Sequence, residues 1–338
     1  MLCALCKNIE ADKKNTHFLT DSVIRTCLNE NGENIREKGL YFDISNENPF
    51  VEFNFQRRTT FEKLNTILGR QPDDLEIEKA KQIPFSVDFV FCSNCEKKFS
   101  EIEESFTKKY LKDFRNNQYT GNLKSINDYK LIKLFFLLQV WRTSICDSIF
   151  TIDEEVSEKL RLIFLNKEEI EPEVLNEFPI SVTYLITEHN DDANKANFVG
   201  YTDDKNPNLI FMNDFIIQFY NNYDSIRFFD FYGLNDKTDY TNYLNLDTQA
   251  FIFKLFTAEQ RINLLNEFIL GDKIRALIDF YSENFARLWF SLFGNYPQIS
   301  LIQSYLSFIT NGSEKNLLHY TKDNIFKLTS KFIEKQLK

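Results

Sequence analysis

Two cysteine pairs with identical spacing constrain this chain more than any other feature. Cys3 and Cys6 stand almost at the first residue, and Cys92 and Cys95 follow much later, in the stretch FCSNCEKKF. Chain ends normally fray, and the residues around the first pair are too polar to hold it by packing. Two Cys-x-x-Cys pairs supply the four thiolates that structural zinc prefers. The sequence therefore predicts one structural Zn²⁺ bound by all four cysteines.

A disulfide framework and a redox-active pair are the alternatives for these cysteines. Six cysteines in a chain of 338 residues, four of them in pairs, suit a reducing compartment better than a disulfide framework. A redox Cys-x-x-Cys usually opens a helix in a thioredoxin-like βαβ unit, and no such pattern surrounds either pair. Zinc is therefore the favoured interpretation, and Cys27 and Cys146 are predicted to be plain buried thiols.

The composition is that of a folded protein and disfavours several enzyme classes. Hydrophobic residues make up 43% of the chain and charged residues 27%, which is an ordinary composition for a globular protein. The length of 338 residues predicts about two domains. Glycine is scarce, with only 9 copies, and the chain contains no G-x-G-x-x-G, P-loop or G-x-S-x-G motif. Dinucleotide-binding, NTP-binding and serine-hydrolase functions are therefore disfavoured.

Apolar runs and charge indicate the compartment and the partners. No apolar run reaches the ~18 residues of a membrane span, and the N-terminus turns polar at once, so we expect no membrane partner, no signal peptide and a cytoplasmic location. A net charge of −10 is unusual for a protein that binds nucleic acid. Four dibasic pairs could nevertheless form a local phosphate-facing patch, but ordinary solvated surface is the favoured interpretation. These pairs are Lys13–Lys14, Arg57–Arg58, Lys97–Lys98 and Lys108–Lys109.

The first 115 residues read as a zinc finger of the treble-clef type. TDSVIRTCLNE and PDDLEIEKAKQI predict helices, GLYFDI and FVEFNF predict a hairpin, and FSVDFVFC predicts a strand that leads into the second cysteine pair. A helix is expected from Glu96 to Phe114, because its apolar residues recur every three or four positions. The predicted buried stripe of this helix consists of Phe99, Ile102, Phe106 and Tyr110.

Residues 116–338 are predicted to form a second, larger domain. The polar stretch RNNQYTGNLKSIND marks the boundary, and YKLIKLFFLLQVWRTSICDSIF is apolar on nearly all sides, which predicts a buried helix. Within it, Trp141 and Arg142 are expected to pack in the core, with the arginine in an internal ion pair. Residues 179–233 look β-rich, and from Thr248 onward the pattern predicts helices. The expected class is α+β: an N-terminal treble clef followed by a mainly helical domain with a small β region.

The pattern CALCKNIEADKKNTH followed by FCSNCEKKFSEIE is similar to the HNH (His-Me finger) nucleases of the treble-clef type, over roughly the first 115 residues. More narrowly, it resembles a bacterial group that reads Cys-x-x-Cys, then Ser-His-Ile-Ile-Pro, then Cys-x-x-Cys-Glu. The resemblance implies that His17 is the general base and that Glu96 helps to hold a catalytic Mg²⁺ or Mn²⁺ ion. It also implies a nucleic-acid substrate and, by analogy with where such proteins occur, a role as an antiphage or mobile-element defence effector.

The chemistry of phosphodiester hydrolysis explains these residue types. The reaction needs a base whose pKa is near neutral and a hard divalent cation that stabilises the extra negative charge. Glu96 and Glu103 are the carboxylates on offer, on one side of the helix and about 10 Å apart along its axis, so we do not expect both to hold one ion. Glu96, next to Cys95, is better placed to face His17.

The chain also departs from the family pattern. Thr16 stands where many members have an acidic metal ligand, THFLT lacks the proline after the histidine, and FSVDFVFC lacks the central asparagine. The second hypothesis is therefore a catalytically inactive, zinc-stabilised interaction module whose C-terminal domain binds another protein.

Overall fold

A computed structural model describes most of the chain, and its contacts group the described residues into two compact units. The first unit takes residues 1–28 and most of 81–262, and the second takes residues 60–80 and 263–337. The described ranges are 1–28, 60–81, 83–187, 198–202, 205–228, 232–235, 240–247 and 249–337.

A two-stranded antiparallel pair and a long helix lie near the cysteine pairs of the first unit. Strand β1 (Thr16–His17) pairs antiparallel with β2 (Ser86–Val87), and helix α1 (Asp21–Leu28) follows β1 directly. Helix α4 (Ser93–Phe106) continues without a break through a wider π-turn, Thr107–Leu111, into α5 (Lys112–Asn116). Strand β2, the second cysteine pair and α4 follow one another along the chain, as the sequence predicts.

A six-stranded sheet forms the centre of the first unit. Its spatial order is β3-β8-β4-β7-β6-β5, and every neighbouring pair is antiparallel except β4 with β8, which run parallel. A parallel pair needs a crossover connection, and the chain between β4 and β8 forms strands β5, β6 and β7 before it returns. The strands are β3 (Leu123–Ile126), β4 (Ile180–Leu185), β5 (Val199–Tyr201), β6 (Asn208–Met212), β7 (Phe215–Phe219) and β8 (Phe251–Phe256).

Helix α6 (Tyr129–Cys146) is buried along most of its length because it packs between α4 and the sheet. On one side Phe135 stacks on Phe106 of α4, with ring centroids 3.8 Å apart. On another side Phe136 contacts Phe251 and Phe253 of β8. Helix α7 (Glu154–Leu165) packs next to α6, and the 3₁₀ segment Pro172–Glu177 leads into β4. One continuous core thus extends from the cysteine pairs to the sheet.

The second unit is helical in the described residues. Its own core consists of ten buried residues: Ile274, Leu277, Tyr281, Phe285, Tyr305, Ile309, Leu317, Leu318, Ile325 and Phe332. Helix α8 (Ala258–Leu264) leaves the first unit, and a π-turn, Leu265–Gly271, joins it to the second. The unit contains α2 (Phe61–Leu68), α3 (Asp74–Lys79), α9 (Asp272–Phe293), α10 (Ile299–Thr310), the 3₁₀ segment Glu314–His319 and α11 (Lys322–Gln336).

The α+β class and the buried helix are confirmed, and the buried stripe is confirmed at three of its four positions. Phe99, Ile102 and Phe106 are buried, whereas Tyr110 is half-buried because its hydroxyl reaches out to Asp128. The predicted hairpin over 39–55 lies outside the described residues. The division at residue 115 stays a prediction, and the two predicted domains share the core of the first unit.

The structure corrects the sequence predictions at three strands. Only Ser86–Val87 of FSVDFVFC is a strand, because Phe85 and Phe89 adopt left-handed backbone conformations on either side of it. Strand β8 lies within the region assigned to helices, and β3 lies within the polar stretch assigned to a boundary. Of the helices in the described part of the chain, none is both long and apolar enough to cross a membrane.

Candidate metal centre

The four sequence-predicted cysteines come together in one cluster. The Sγ atoms of Cys3, Cys6, Cys92 and Cys95 all lie within 4.8 Å of one another. None is in a disulfide, and Cys3, Cys92 and Cys95 are buried. The cluster lies where residues 1–13 meet the start of α4.

Local backbone geometry holds each pair in position. The first pair lies in a tight turn, in which the amide of Lys7 donates to the carbonyl of Cys3 at 2.9 Å and Lys7 itself is left-handed, with φ 55°. In the second pair, Cys92 is the N-cap residue of α4 and Cys95 lies in its first turn. Asp12 fixes this helix end, because its carboxylate accepts from the Ser93 amide at 2.7 Å and from the Ser93 hydroxyl at 3.0 Å.

The donor set fits zinc. With Zn–S bonds of ~2.3 Å, a tetrahedron of four sulfurs has edges of ~3.8 Å, and the Cys6 and Cys92 sulfurs are 4.0 Å apart. Burial and the neighbouring thiols raise the pKa of Cys95, and burial also raises the pKa of Cys92. For Cys6, burial acts to raise the pKa, but the hydrogen bonds at Asn8 and Ile9 outweigh it and lower the value to about 7. A bound cation would remove the cost of gathering these thiolates.

His17 lies on β1, a short distance along the chain from this cluster. Its Nε2 is 3.5 Å from Oδ1 of Asp21, one turn into α1, and both side chains are about a quarter exposed. Asp21 also pairs with Arg25. The main-chain carbonyl of His17 accepts from Nη2 of Arg142. The imidazole is therefore next to a carboxylate and partly open to solvent.

Arg142 of α6 joins the predicted catalytic residues to one another. Its guanidinium is fully buried, with Nη2 3.5 Å from Oε1 of Glu96 and Nη1 3.1 Å from Oε1 of Glu103. The same Nη2 binds the His17 carbonyl, so His17 and Glu96 meet at one nitrogen atom. The expectation that Arg142 forms an internal ion pair is thus confirmed, and two carboxylates share the guanidinium instead of one.

The rest of the cluster is aromatic and polar. The guanidinium lies against the rings of Phe99 and Phe91, 5.1 Å and 5.8 Å from their centroids. Glu103 also accepts from the hydroxyl of Thr20 at 2.7 Å. Gln139 of α6 accepts from the Thr20 amide at 3.0 Å. These contacts fix α4, α6 and the segment after β1 around one buried cation.

Glu96 has a buried carboxylate oxygen that makes no hydrogen bond. Burial raises the pKa of Glu96, and the negative charge of Glu103 adds to this, whereas Arg142 acts in the opposite direction. Its Oε1 lies within ion-pair distance of Arg142 but makes no hydrogen bond, and Nε of Arg142 makes none either. Buried polar atoms normally have a partner, so this point has capacity for a further ligand or a water molecule.

Sequence reasoning missed Asp21 as the partner of His17 and Arg142 as the point where Glu96 and Glu103 meet. The spacing of His17 and Asp21, four residues apart at the start of a predicted helix, was the available signal for the first contact. The contact with Arg142 spans 125 residues, so no local pattern carries it.

Three lysines of the dibasic pairs named in the sequence analysis make hydrogen bonds or ion pairs within the protein. Lys98 donates to the carbonyl of Leu165 at 2.7 Å, Lys108 pairs with Glu104 at 2.7 Å, and Lys109 pairs with Asp128 at 3.2 Å. Lys14 lies over the ring of Phe89. The pair Arg57–Arg58 lies outside the described residues.

Comparisons with known proteins give no assignment. No protein-family model matches the chain, and no match is found among curated proteins or solved structures.

Proposed function

We propose that this protein is a nuclease of the HNH-like, treble-clef type, in which a four-cysteine zinc holds a separate hydrolytic site. The single observation that carries the proposal is the meeting of His17 and Glu96 at the buried guanidinium of Arg142. Strand β1 carries the proposed base and helix α4 the proposed metal-binding carboxylate, and the main chain of the one and the side chain of the other contact the same guanidinium.

His17 is the proposed general base. A histidine that acts in this way needs a pKa near neutral, partial access to solvent and a neighbour that orients its ring. Asp21, with Oδ1 at 3.5 Å from Nε2, is the carboxylate positioned to orient it. The phosphodiester would approach from the exposed side of His17, since its carbonyl side faces Arg142.

Glu96 is the proposed protein ligand of a Mg²⁺ or Mn²⁺ ion. Its Oε1 has no hydrogen-bond partner, which leaves a lone pair for a metal, and carboxylate oxygens suit both ions. When bound, such an ion would stabilise the additional charge that develops on the phosphate. Arg142 already brings one positive charge to this carboxylate, so we expect weak ion binding that needs millimolar metal.

An inactive interaction module is the second candidate function, and the same arginine favours it. Arg142 pairs with both Glu96 and Glu103, which would leave the carboxylates with a purely structural role. In that case the cysteine cluster and the ion pairs only stabilise the first unit, and function resides in a protein partner.

Cleavage assays distinguish the two candidates. Zinc-loaded protein is incubated with single-stranded and double-stranded DNA and RNA over a range of Mg²⁺ and Mn²⁺ concentrations. For the nuclease we expect metal-dependent cleavage that His17→Ala reduces by about a hundredfold or more and that Asp21→Asn reduces less. The zinc content of both variants should stay unchanged, because base and structural metal are separate.

The matched control is His319→Ala, which removes a histidine from the second unit. Cleavage that persists in His17→Ala at the level of this control would contradict the assignment of the base. Lack of cleavage by the zinc-loaded wild type on all four substrates would leave the interaction module as the better proposal. If cleavage is found, plaque counts with wild-type and His17→Ala cells then test the proposed role in antiphage defence.

A further inference from the structure

A recess opens at the turn between α9 and α10. Gly294 caps α9 in the left-handed conformation, with φ 78°, and α10 begins after Gln298. The two helices pack together, and the turn that joins them contributes to a recess of about 370 Å³. Small-molecule sites occupy ~300–1,000 Å³, so this recess is large enough for a small ligand but not for a long chain.

Trp289 supplies the largest aromatic ring of the recess lining. Its indole contacts the rings of Phe285 and Phe293, with centroids 5.8 Å and 4.3 Å away. Phe285 is buried in the core of the second unit, so the indole is anchored to the fold. A ring that is already positioned can receive an apolar face of a ligand with little cost in ordering.

The polar side chains of the lining are neutral. Asn295 and Gln298 offer amide groups, and Tyr296, Ser300 and Ser304 offer hydroxyls, so each of these side chains can both donate and accept hydrogen bonds. Gln298 is the N-cap residue of α10, but its side chain makes no capping hydrogen bond. The Ser304 hydroxyl donates to the Ser300 carbonyl at 2.8 Å, so its own oxygen can still accept. Of the described residues that line the recess, none is charged.

We propose that the recess binds a neutral carbohydrate of one or two sugar rings. A sugar ring has an apolar face of C–H groups, which packs on the electron-rich face of an indole such as that of Trp289. The hydroxyls around its edge are both donors and acceptors, as are the amide and hydroxyl side chains of the lining. The recess belongs to the second unit, so this site is independent of the proposed hydrolytic site in the first.

A neutral sugar fits the recess better than an ionic ligand or a nucleoside does. An ion that enters the recess loses part of its hydration and meets no counter-charge in the lining, which is unfavourable. A nucleobase could also stack on Trp289, but its edge offers fewer hydrogen-bonding groups than the five polar side chains of the lining. Tyr296, the second aromatic residue of the lining, already stacks on Phe290 with centroids 4.7 Å apart, so one face of its ring is covered.

Calorimetric titration of the full chain with maltose, cellobiose and N,N′-diacetylchitobiose tests the proposal. We expect at least one of the three to bind with a dissociation constant of about 1 mM or below. Gln298→Ala should weaken binding by about threefold to tenfold, because it removes one hydrogen-bonding group, and Trp289→Ala should weaken it by about tenfold or more. Gln298 is exposed, so its variant should fold normally. The matched control is Gln303→Ala, which removes an exposed glutamine of α10 outside the lining and should leave binding unchanged.

Fluorescence of Trp289 gives an independent measurement. The chain has two tryptophans, and Trp141 is fully buried, so acrylamide quenching reports mainly on Trp289. The bound sugar should protect Trp289 from quenching in the wild type and in Gln303→Ala. Absence of binding by all three disaccharides at about 10 mM would overturn the proposal, as would binding that both Trp289→Ala and Gln298→Ala leave intact. Tighter binding of thymidine or of glucose 1-phosphate than of the neutral sugars would overturn the assignment of the ligand class.

Discussion

Arg142 donates from its guanidinium to the main-chain carbonyl of His17, although the two residues are 125 positions apart in the sequence. The bond connects β1, near the cysteine cluster, with α6 in the centre of the first unit. Because the guanidinium is buried and also holds Glu96 and Glu103, it fixes the position of His17 relative to both carboxylates. The candidate catalytic site is therefore built by the core helix as much as by the finger.

Arg142→Met should destabilise the protein by about 3–5 kcal/mol, because it leaves two largely buried carboxylates without their cation. Urea denaturation measures the loss. Arg25→Met is the control, since its ion pair with Asp21 is 35% exposed at the arginine, and it should cost less than about 1 kcal/mol. Adding Glu96→Gln and Glu103→Gln to Arg142→Met should recover part of the loss. If Arg142→Met costs no more than Arg25→Met, the guanidinium is not the centre of this network.

Purified protein should contain one zinc per chain, and Cys92→Ser should lose it. Structural zinc contributes on the order of 10 kcal/mol in isolated fingers, so proteolysis around residues 1–28 should increase sharply in this variant. Elemental analysis and limited proteolysis measure both effects. Cys146→Ser is the matched control, because this thiol lies outside the cluster. A zinc-free wild type with unchanged melting temperature would contradict a structural metal.

Phe106→Ala should cost about 3–5 kcal/mol of unfolding free energy, because Phe106 is fully buried and stacks on Phe135. Phe89→Ala in the same unit should cost less than about 1 kcal/mol, since Phe89 is 45% exposed. Equal losses in the two variants, measured by chemical denaturation, would show that the stripe on α4 does not organise the core.

Lys133→Met should raise stability at neutral pH by about 1 kcal/mol or more. Burial lowers the pKa of Lys133 well below its ordinary value, so only the unfolded chain takes up a proton there as the pH falls. The contribution of Lys133 to the free energy of unfolding is most favourable at pH values above the pKa that this lysine has in the unfolded chain. It becomes less favourable as the pH falls below that pKa. The carbonyl of Asn245 that accepts from Lys133 keeps a second donor, the hydroxyl of Tyr129.

The pH dependence provides the check on Lys133. Denaturation at about pH 7 and about pH 9.5 should show a smaller gain for the methionine variant at the higher value, because the lysine penalty fades as the pH approaches its unfolded pKa. A gain that does not change with pH would mean that packing alone explains the effect. A loss at both pH values would contradict the burial of a neutral amine.

Local sequence patterns predicted the elements that carry their own periodicity. Helix α4 repeats Phe99, Ile102 and Phe106 on one face, and α6 is apolar all round because it is covered on several sides. Strand β8 was missed because FIFKLF has no turn residue to separate it from the helical region that follows, and its partners β3 and β4 are distant in the sequence.

The candidate site was predictable only in its short-range parts. The two Cys-x-x-Cys spacings identified all four sulfurs of the cluster. The role of Arg142 depends on how α6 crosses α4, and the guanidinium meets residues 39, 46 and 125 positions away. Such contacts follow from tertiary packing and leave no trace in the local pattern.

The cysteine cluster has a consequence for the order in which the protein can fold on the ribosome. Cys3 and Cys6 are synthesised before their partners Cys92 and Cys95, which follow Cys6 by 86 positions or more, and α6, which completes the surrounding core, comes later still. The first cysteine pair must therefore remain with unpartnered thiols until the second pair has emerged. Metal capture can close this part of the nascent chain only from that point on.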